Sequence, residues 1–265
     1  MAAMQAAQMM ISGPDQGEHT ALLIPGGFCT AAFYADLMDQ PALAGIRLVA
    51  VTLPGHGGVP APPDVSIEHL ARMVAELAAE VGCDVVVGHS LGATVALEMA
   101  ASAAFDGPIV LLTPAFSRRG ESMIIRVADR LAAVLDRLPY VAMRSLLPRL
   151  VKDCPLPADR RAVLTAELAR NDPAAMKRVV HEYLRYLDRH GSVAGRLANA
   201  GNPAWVVHGE SGDGGLTFDE RWLLQSEPAV RLVTIPGPSV LTANENPELV
   251  ADLVLEALRV ATPAS

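Results

Sequence analysis

Residues 84–92 read DVVVGHSLG, the most informative stretch of the sequence for the fold. Its three consecutive valines are typical of a buried strand, and an apolar run of helical length begins at residue 90. A serine on a sharp turn from strand to helix must adopt strained backbone angles, and small flanking residues let the two elements approach closely. Gly88 and Gly92 are such residues. The stretch therefore predicts a strand, a tight turn that carries Ser90, and a helix, with the serine hydroxyl above the sheet.

Apolar runs of strand length recur on both sides of this turn. They are residues 21–24, 48–53, 108–113, 204–208 and 231–235. Helical periodicity is clearest at residues 66–81, where Ser66 is a candidate N-cap and Gly82 a candidate exit, and it returns at residues 247–260. Strands that are apolar on both faces and alternate with helices predict an α/β fold with a doubly wound, mostly parallel sheet.

Residues 117–200, called the inserted segment below, interrupt this alternation. They contain no strand-like run and read as four short helices separated by prolines. The segment holds 16 basic and 9 acidic residues and so carries +7, whereas the rest of the chain, with 5 basic and 20 acidic residues, carries −15. The arginines form either a solvated helix face or an attractant for an anionic ligand.

Composition excludes several classes of function. The net charge of −8 is unlike the basic surface of a nucleic-acid-binding protein. Three scattered cysteines suit a reducing compartment and form no metal motif, and no phosphate-cradling or dinucleotide motif is present. No run is long enough to span a membrane, and the N-terminus lacks a cationic leader. We therefore expect a cytoplasmic protein with a small-molecule ligand, without cofactor, metal, nucleic acid or membrane; the oligomeric state is left open.

Ser90 would need hydrogen-bond donors for a developing oxyanion. The backbone N–H of Leu91 lies at the start of the predicted helix and is one candidate. The second should come from the loop after the first strand, residues 25–28, which reads PGGF. Glycine lets a backbone approach a substrate closely, so Gly27 is the first choice in this loop and Phe28 the second.

These features together resemble the α/β-hydrolase superfamily over about residues 20–260. The matching stretches are PGGF at 25–28, LPGHG at 53–57, GHSLG at 88–92, VVHGE at 206–210, and IPG at 235–237 followed by ENPE at 245–248. The resemblance implies a core of residues 1–116 and 201–265, a helical cap of residues 117–200, and a pocket between them. It also implies Ser90 as nucleophile in a hydrolase and Gly27 or Phe28 with Leu91 as the oxyanion hole.

The same resemblance expects a catalytic histidine that this chain lacks. Similar proteins carry it five residues before the Glu-Asn-Pro of the last helix, which is Val240 here, beside Ser239. No histidine follows His208. The usual carboxylate position falls on Gly212, so Asp213 is a candidate acid displaced by one residue. The triad is therefore predicted to be degenerate.

Other residues could in principle supply the base. The sequence leaves open five histidines: His56, His89, His181, His190 and His208. Cys29 as an alternative nucleophile is disfavoured because no cationic neighbour is visible to lower its pKa. The pattern favours the absence of a base over its presence.

Three functions remain compatible with this pattern. The first is hydrolysis of a small ester, thioester, lactone or related carbonyl compound through Ser90. The second is a non-hydrolytic cyclase, lyase or isomerase that keeps the oxyanion hole. The third is a ligand-binding pseudoenzyme that uses the same pocket.

Overall fold

A computed structural model of the protein describes residues 9–15, 17–152, 154–211, 216–238 and 240–261. In these residues seven strands form one sheet. They are β1 (Met9–Ser12), β2 (Thr20–Ile24), β3 (Arg47–Val51), β4 (Val85–His89), β5 (Ile109–Leu112), β6 (Ala204–Ser211) and β7 (Val230–Pro238). Their order is β1-β3-β2-β4-β5-β6-β7, with β1 antiparallel to β3 and every other pair parallel. The predicted, mostly parallel sheet is confirmed.

Helices cover both faces of this sheet. Outside the inserted segment they are α1 (Ala35–Met38), α2 (Ile67–Val81), α3 (Leu91–Ala101), α9 (Phe218–Ser226), α10 (Thr242–Glu245) and α11 (Pro247–Ala261). Helices α3 and α11 both pack against β4 and β5, while α2 contacts α3 and α1 contacts α11. Every residue of β2, β4 and β5 is buried, as their apolar composition predicts for central strands.

The ends of α2 are those that the sequence predicts. The Ser66 side chain accepts a hydrogen bond from the backbone N–H of His69, and Gly82 adopts a left-handed conformation with φ 64° at the C-terminal end. Both interactions satisfy backbone groups that a helix leaves unpaired at its ends. The N-cap and exit predicted for this helix are confirmed.

The described residues of the inserted segment form five helices, not the four predicted. They are α4 (Met123–Leu135), α5 (Leu138–Lys152), α6 (Ala158–Ala169), α7 (Pro173–His190) and α8 (Ala194–Ala200). Prolines were expected to separate helices, but Pro148 lies inside α5. Helix α8 is only seven residues long, too short to give a clear apolar period. No helix in the described part of the chain is both long and apolar enough to cross a bilayer.

Two buried ionic groups fasten the inserted segment to the sheet and its helices. Arg160 of α6 is 9% exposed; it donates to Asp36 at 2.6 Å and to the carbonyls of Ala32 and Phe33. Glu98 of α3 accepts hydrogen bonds from Tyr186 of α7 at 2.6 Å and from Arg196 of α8 at 2.5 Å. Breaking a buried pair of this kind leaves an uncompensated charge, so both contacts hold the segment in one position.

Candidate functional site

Ser90 lies on the turn between β4 and α3 with φ 50° and ψ −115°, a conformation that non-glycine residues rarely adopt. The two flanking glycines are required by close backbone contacts. A Cβ atom on Gly88 would lie 2.4 Å from the carbonyl oxygen of Gly92, and one on Gly92 would lie 2.3 Å from that of Ile24. The local sequence therefore forces strand, turn and helix together and holds the strained serine between them.

The backbone N–H and carbonyl of Ser90 both make hydrogen bonds, whereas its side-chain hydroxyl makes none with the described residues. The Ser90 N–H donates to the carbonyl of Leu112 at 2.9 Å, and the Ser90 carbonyl accepts from Ala93 and Thr94. The residue is partly exposed, and its hydroxyl has no hydrogen-bond partner among the residues that the structure describes. No described side chain therefore accepts the proton of the Ser90 hydroxyl.

The loop after β2 lies against the first turn of α3. A Cβ atom on Gly27 would lie 3.9 Å from the Cβ of Leu91, so the backbones of Gly27 and Leu91 are neighbours. A turn closed by the Cys29 N–H and the Gly26 carbonyl gives Phe28 a φ of 69°. The structure therefore brings Ser90, Leu91 and Gly27 together. The Phe28 carbonyl is instead bound by a side chain of the inserted segment.

Asn171, which the sequence does not single out, holds this loop from above. The residue is completely buried; its side-chain amide donates to the Phe28 carbonyl at 2.8 Å and to the Leu168 carbonyl at 2.9 Å. Its side-chain oxygen accepts the N–H of Gly57 at 2.9 Å. One side chain thus links the inserted segment to the candidate oxyanion loop and to the turn after β3.

We expect Asn171→Asp to reduce kcat more than it alters KM in any reaction that depends on the candidate oxyanion loop, residues 25–28. The carboxylate keeps the acceptor for the Gly57 N–H but removes both donors, so the strained Phe28 peptide loses its anchor. We expect Asn171→Leu, which also leaves the Gly57 N–H unpaired, to lower the free energy of unfolding relative to wild type by ~1–3 kcal/mol. Urea unfolding and steady-state kinetics measure both effects, and wild-type values for either variant would contradict this assignment.

His89, next to the serine, is a structural residue. It is 5% exposed, its ring lies 4.6 Å from that of Phe33, and its Nε2 is 2.9 Å from the carbonyl oxygen of Val240. Because a carbonyl can only accept, Nε2 carries the proton. Burial lowers the pKa of His89 to about 4. The histidine therefore anchors the loop after β7 and is not placed to accept the Ser90 proton.

The predicted base position is an exposed aliphatic side chain. Val240 is 61% exposed, and its carbonyl is the atom that His89 holds. The neighbouring Ser239 lies outside the described residues, as do Gly212 and the candidate acid Asp213. The structure thus gives no contacts for the last three, and their roles remain predictions.

The other candidate histidines have partners elsewhere. His56 is completely buried with Nδ1 3.1 Å from the Pro54 carbonyl, and His208 lies 3.2 Å from Thr234. His181 pairs with Asp129 in the inserted segment, and the ring of His190 packs against Tyr186. None has a recorded contact with Ser90. In the described ranges no three His, Cys, Asp or Glu side chains are grouped to hold a metal ion.

The buried histidines predict a pH-dependent stability. Burial lowers the pKa of both His56 and His89 to about 4, from about 6.5 in an unfolded chain. Between these values the unfolded chain binds more protons, so the free energy of unfolding falls as the pH drops, by about 1.4 kcal/mol per pH unit for each histidine. Urea unfolding at a series of pH values measures this slope. His89→Gln should reduce it, whereas His69→Gln, at a solvent-accessible site, should not.

A cavity of about 20 Å³ lies between the candidate oxyanion loop, the inserted segment and the loop after β7. It is lined by Cys29, Thr30, Phe33, Val151, Leu164, Glu167, Leu168 and Leu241. This volume holds about one water molecule. Burial, with a smaller contribution from the Glu167 carboxylate, raises the pKa of the Cys29 thiol to about 12. The thiol is therefore protonated at neutral pH and is not a competing nucleophile.

Comparisons with known proteins concern the family and the fold. A family model described as the alpha/beta hydrolase family matches residues 21–253. No curated protein matches the sequence. Among solved structures, a malate-bound thermophilic esterase from Thermogutta terrifontis is 17% identical with a TM-score of 0.73, and the match covers 96% of this chain and 93% of the esterase.

Two further solved structures have the same fold. A mutant N-acyl homoserine lactonase complexed with N-hexanoyl homoserine is 19% identical, with a TM-score of 0.71 and coverage of 97% of this chain and 94% of the lactonase. The thioesterase domain from the curacin biosynthetic pathway is 18% identical, with a TM-score of 0.68 and coverage of 93% and 94%. At such identities the likeness concerns the fold alone.

Proposed function

This chain belongs to the alpha/beta hydrolase family, and we propose that it acts on a small ester, thioester, lactone or related carbonyl compound with Ser90 as the reacting side chain. The observation that carries the proposal is the backbone of Ser90, with φ 50° and ψ −115°. Strained conformations of this kind cluster at active sites, where the surrounding structure maintains them. Here the close backbone contacts at Gly88 and Gly92 maintain the strain, and Ser90 as a residue is partly exposed.

The proposed chemistry begins with attack of the Ser90 Oγ on the carbonyl carbon. A C–O bond forms, and the carbonyl π electrons move to the oxygen, which the backbone N–H groups of Leu91 and Gly27 stabilise; Phe28 is the second choice in the loop. The serine proton passes to water, because the described residues offer no base. Collapse of the intermediate breaks the C–O or C–S bond, and the leaving oxygen or sulfur takes a proton from water; in a lactone it stays tethered to the acyl group. Water then attacks the acyl carbon, which releases the carboxylic acid and restores the Ser90 hydroxyl.

The rate expected from this site is low. Val240 stands where relatives carry the base, and Asp213 is the proposed, displaced carboxylate. Sites that lose a triad member keep a residual acceleration of about 10³–10⁴ over water from the oxyanion hole and substrate binding. We therefore propose a degenerate triad with slow, Ser90-dependent turnover.

We further propose that residues 117–200 are the cap over this site and that residues 1–116 and 201–265 are the core. Support comes from Asn171, which binds the candidate oxyanion loop, and from Val151 and Leu164, which line the small cavity. This cavity has room for about one water molecule and Ser90 is not among its lining residues, so we propose that the cap moves to admit a substrate to Ser90. The expected ligand is a small molecule.

One observation favours a second candidate function. The hydrogen bond from His89 to the Val240 carbonyl holds the loop after β7 in place without any described base at the serine. A non-hydrolytic cyclase, lyase or isomerase needs the oxyanion donors but no base to deacylate a serine, and a ligand-binding pseudoenzyme needs neither. Incubation of a converted compound in ¹⁸O-labelled water separates them: label in the product supports hydrolysis, and conversion without label supports the alternative enzyme.

The proposal is tested by turnover of activated esters, thioesters and lactones by the wild type and Ser90→Ala. We expect slow hydrolysis of at least one class and its loss in Ser90→Ala. Ser145→Ala, at an exposed serine of α5, is the matched control and should keep the wild-type rate. Equal rates for wild type and Ser90→Ala would refute the role of Ser90.

A further inference from the structure

Helix α4 turns its large apolar side chains towards solvent. The described structure exposes 43% to 86% of each of six side chains: Met123, Ile124, Val127, Leu131, Val134 and Leu135. These positions recur at intervals of three and four residues, so they form one continuous stripe, called the α4 face below. The stripe continues into α5 at Leu138, which is 61% exposed.

The opposite side of α4 makes a weak contact with the rest of the protein. Its only fully buried residues are Ala128 and Ala132. An amphipathic helix in a folded domain normally buries its large apolar residues and exposes its small and polar ones. Helix α4 buries Ala128 and Ala132 and partly buries Ile125, but it leaves its other large apolar residues exposed. A contiguous apolar stripe of this kind marks an interaction surface.

Basic side chains border the α4 face along one edge. Arg126 is next to Val127 in the sequence, and Arg130 lies about one helical turn before Val134. Neither arginine has an ion-pair partner in the described residues. Arg137 follows at the end of the helix. Asp129, the acidic residue of α4, points the other way and pairs with Arg118 at 3.1 Å. The α4 face is therefore apolar with a cationic margin.

Arg126 and Arg130 also line a groove of about 870 Å³ beside the helix. Arg118, Arg119, Arg126 and Arg130 line it together with three carboxylates. Two of these carboxylates are occupied: Asp188 pairs with Arg118, and Glu220 accepts from Ser192 and from the Thr217 N–H. The groove can therefore take anionic groups that approach alongside the α4 face.

We propose that the α4 face docks the protein on an anionic phospholipid surface. The apolar stripe would enter the boundary between headgroups and acyl chains, and Arg126 and Arg130 would contact lipid phosphates. The charge distribution favours this orientation, because residues 117–200 carry +7 and the remainder −15. The expectation of no membrane partner rested on the lack of a spanning run, and docking by one helix face needs no such run.

A second copy of the chain fits the α4 face less well. A two-fold pairing of α4 faces would bring Arg126 and Arg130 of both copies to one interface, where like charges repel. Contact of the α4 face with the acidic remainder of another copy would be head to tail, which builds a ring or an open filament and not a two-fold dimer. Charge complementarity thus favours an external anionic surface.

Co-sedimentation with vesicles tests the proposal. Wild type should pellet with vesicles of phosphatidylcholine and phosphatidylglycerol, and about 10-fold less with phosphatidylcholine alone or in high salt. Val134→Asp should lower the partition coefficient on anionic vesicles about 10-fold. The double variant Arg126→Gln with Arg130→Gln should lower the same partition coefficient about 25-fold, since each of the two basic residues contributes about fivefold.

Two matched controls separate the α4 face from general effects. Val260→Asp and Arg259→Gln make the same chemical changes on α11, at exposed positions, and should bind like wild type. Thermal melting by circular dichroism checks that each variant folds; Val134 is 86% exposed, so its replacement disturbs no packing. Failure of wild type to bind anionic vesicles would overturn the proposal, as would equal binding by Val134→Asp. Dimerisation without vesicle binding, abolished by Val134→Asp, would assign the α4 face to a second copy.

Discussion

Val240→His is expected to raise the rate of ester hydrolysis by about 10²–10⁴-fold, the usual contribution of a general base. The backbone at this position is fixed, because the Val240 carbonyl accepts a hydrogen bond from His89, the neighbour of Ser90. The Val240 side chain is 61% exposed, so its replacement removes no core contact. A histidine here would stand at the position that carries the base in similar proteins.

The pH profile and one double variant identify the origin of the gain. In Val240→His the rate should rise with pH through about 6.5, as an unperturbed imidazole loses its proton. The same substitution combined with Ser90→Ala should show no gain, because the base then has no nucleophile to activate. An unchanged rate in a folded Val240→His variant would mean that the loop after β7 does not bring residue 240 to Ser90.

Gly92→Ala is expected to lower the free energy of unfolding by about 3 kcal/mol, at the upper end of the range for overpacking. The added Cβ would lie 2.3 Å from the carbonyl oxygen of Ile24 and 2.5 Å from that of Pro25. Both are backbone atoms, so α3 and the end of β2 must move apart. Because Pro25 leads directly into the candidate oxyanion loop, the same shift should abolish any Ser90-dependent reaction.

Gly195→Ala is the matched control for this prediction. Gly195 lies inside α8, and a Cβ there would meet no atom within 4 Å. Alanine is about 1 kcal/mol more favourable than glycine within a helix, so this variant should be as stable as wild type or more stable. Urea unfolding of both variants provides the comparison. If Gly92→Ala unfolds at the same urea concentration as Gly195→Ala, the close contact between α3 and β2 is wrong.

The local features of the fold could be predicted from the sequence. The valines of β4, the two glycines and the apolar run of α3 are contiguous, and their strand, turn and helix are confirmed. The Ser66 N-cap and the Gly82 exit are short-range signals of the same kind. Such predictions succeed because the residues that determine the conformation are neighbours in the chain.

Features that depend on distant contacts could not be predicted. The antiparallel edge strand β1 pairs with β3, about 40 residues away, and its four residues carry no distinctive pattern. The hydrogen bonds of Asn171 to Phe28 and of His89 to Val240 each span more than 100 residues. Asn171 precedes an Asp-Pro helix start, which suggests an ordinary surface turn, and only the packing of the inserted segment buries it.

Intact-mass analysis after exposure to a fluorophosphonate probe tests the role of Ser90 most directly, because this probe reacts with activated serines whatever the natural substrate. We expect slow labelling of wild type at one site, no labelling of Ser90→Ala, and labelling of Val240→His that is about 10²–10⁴-fold faster than wild type. Labelling that persists in Ser90→Ala, or a wild-type protein that stays unlabelled after prolonged exposure, would contradict the claim that Ser90 is the reacting group.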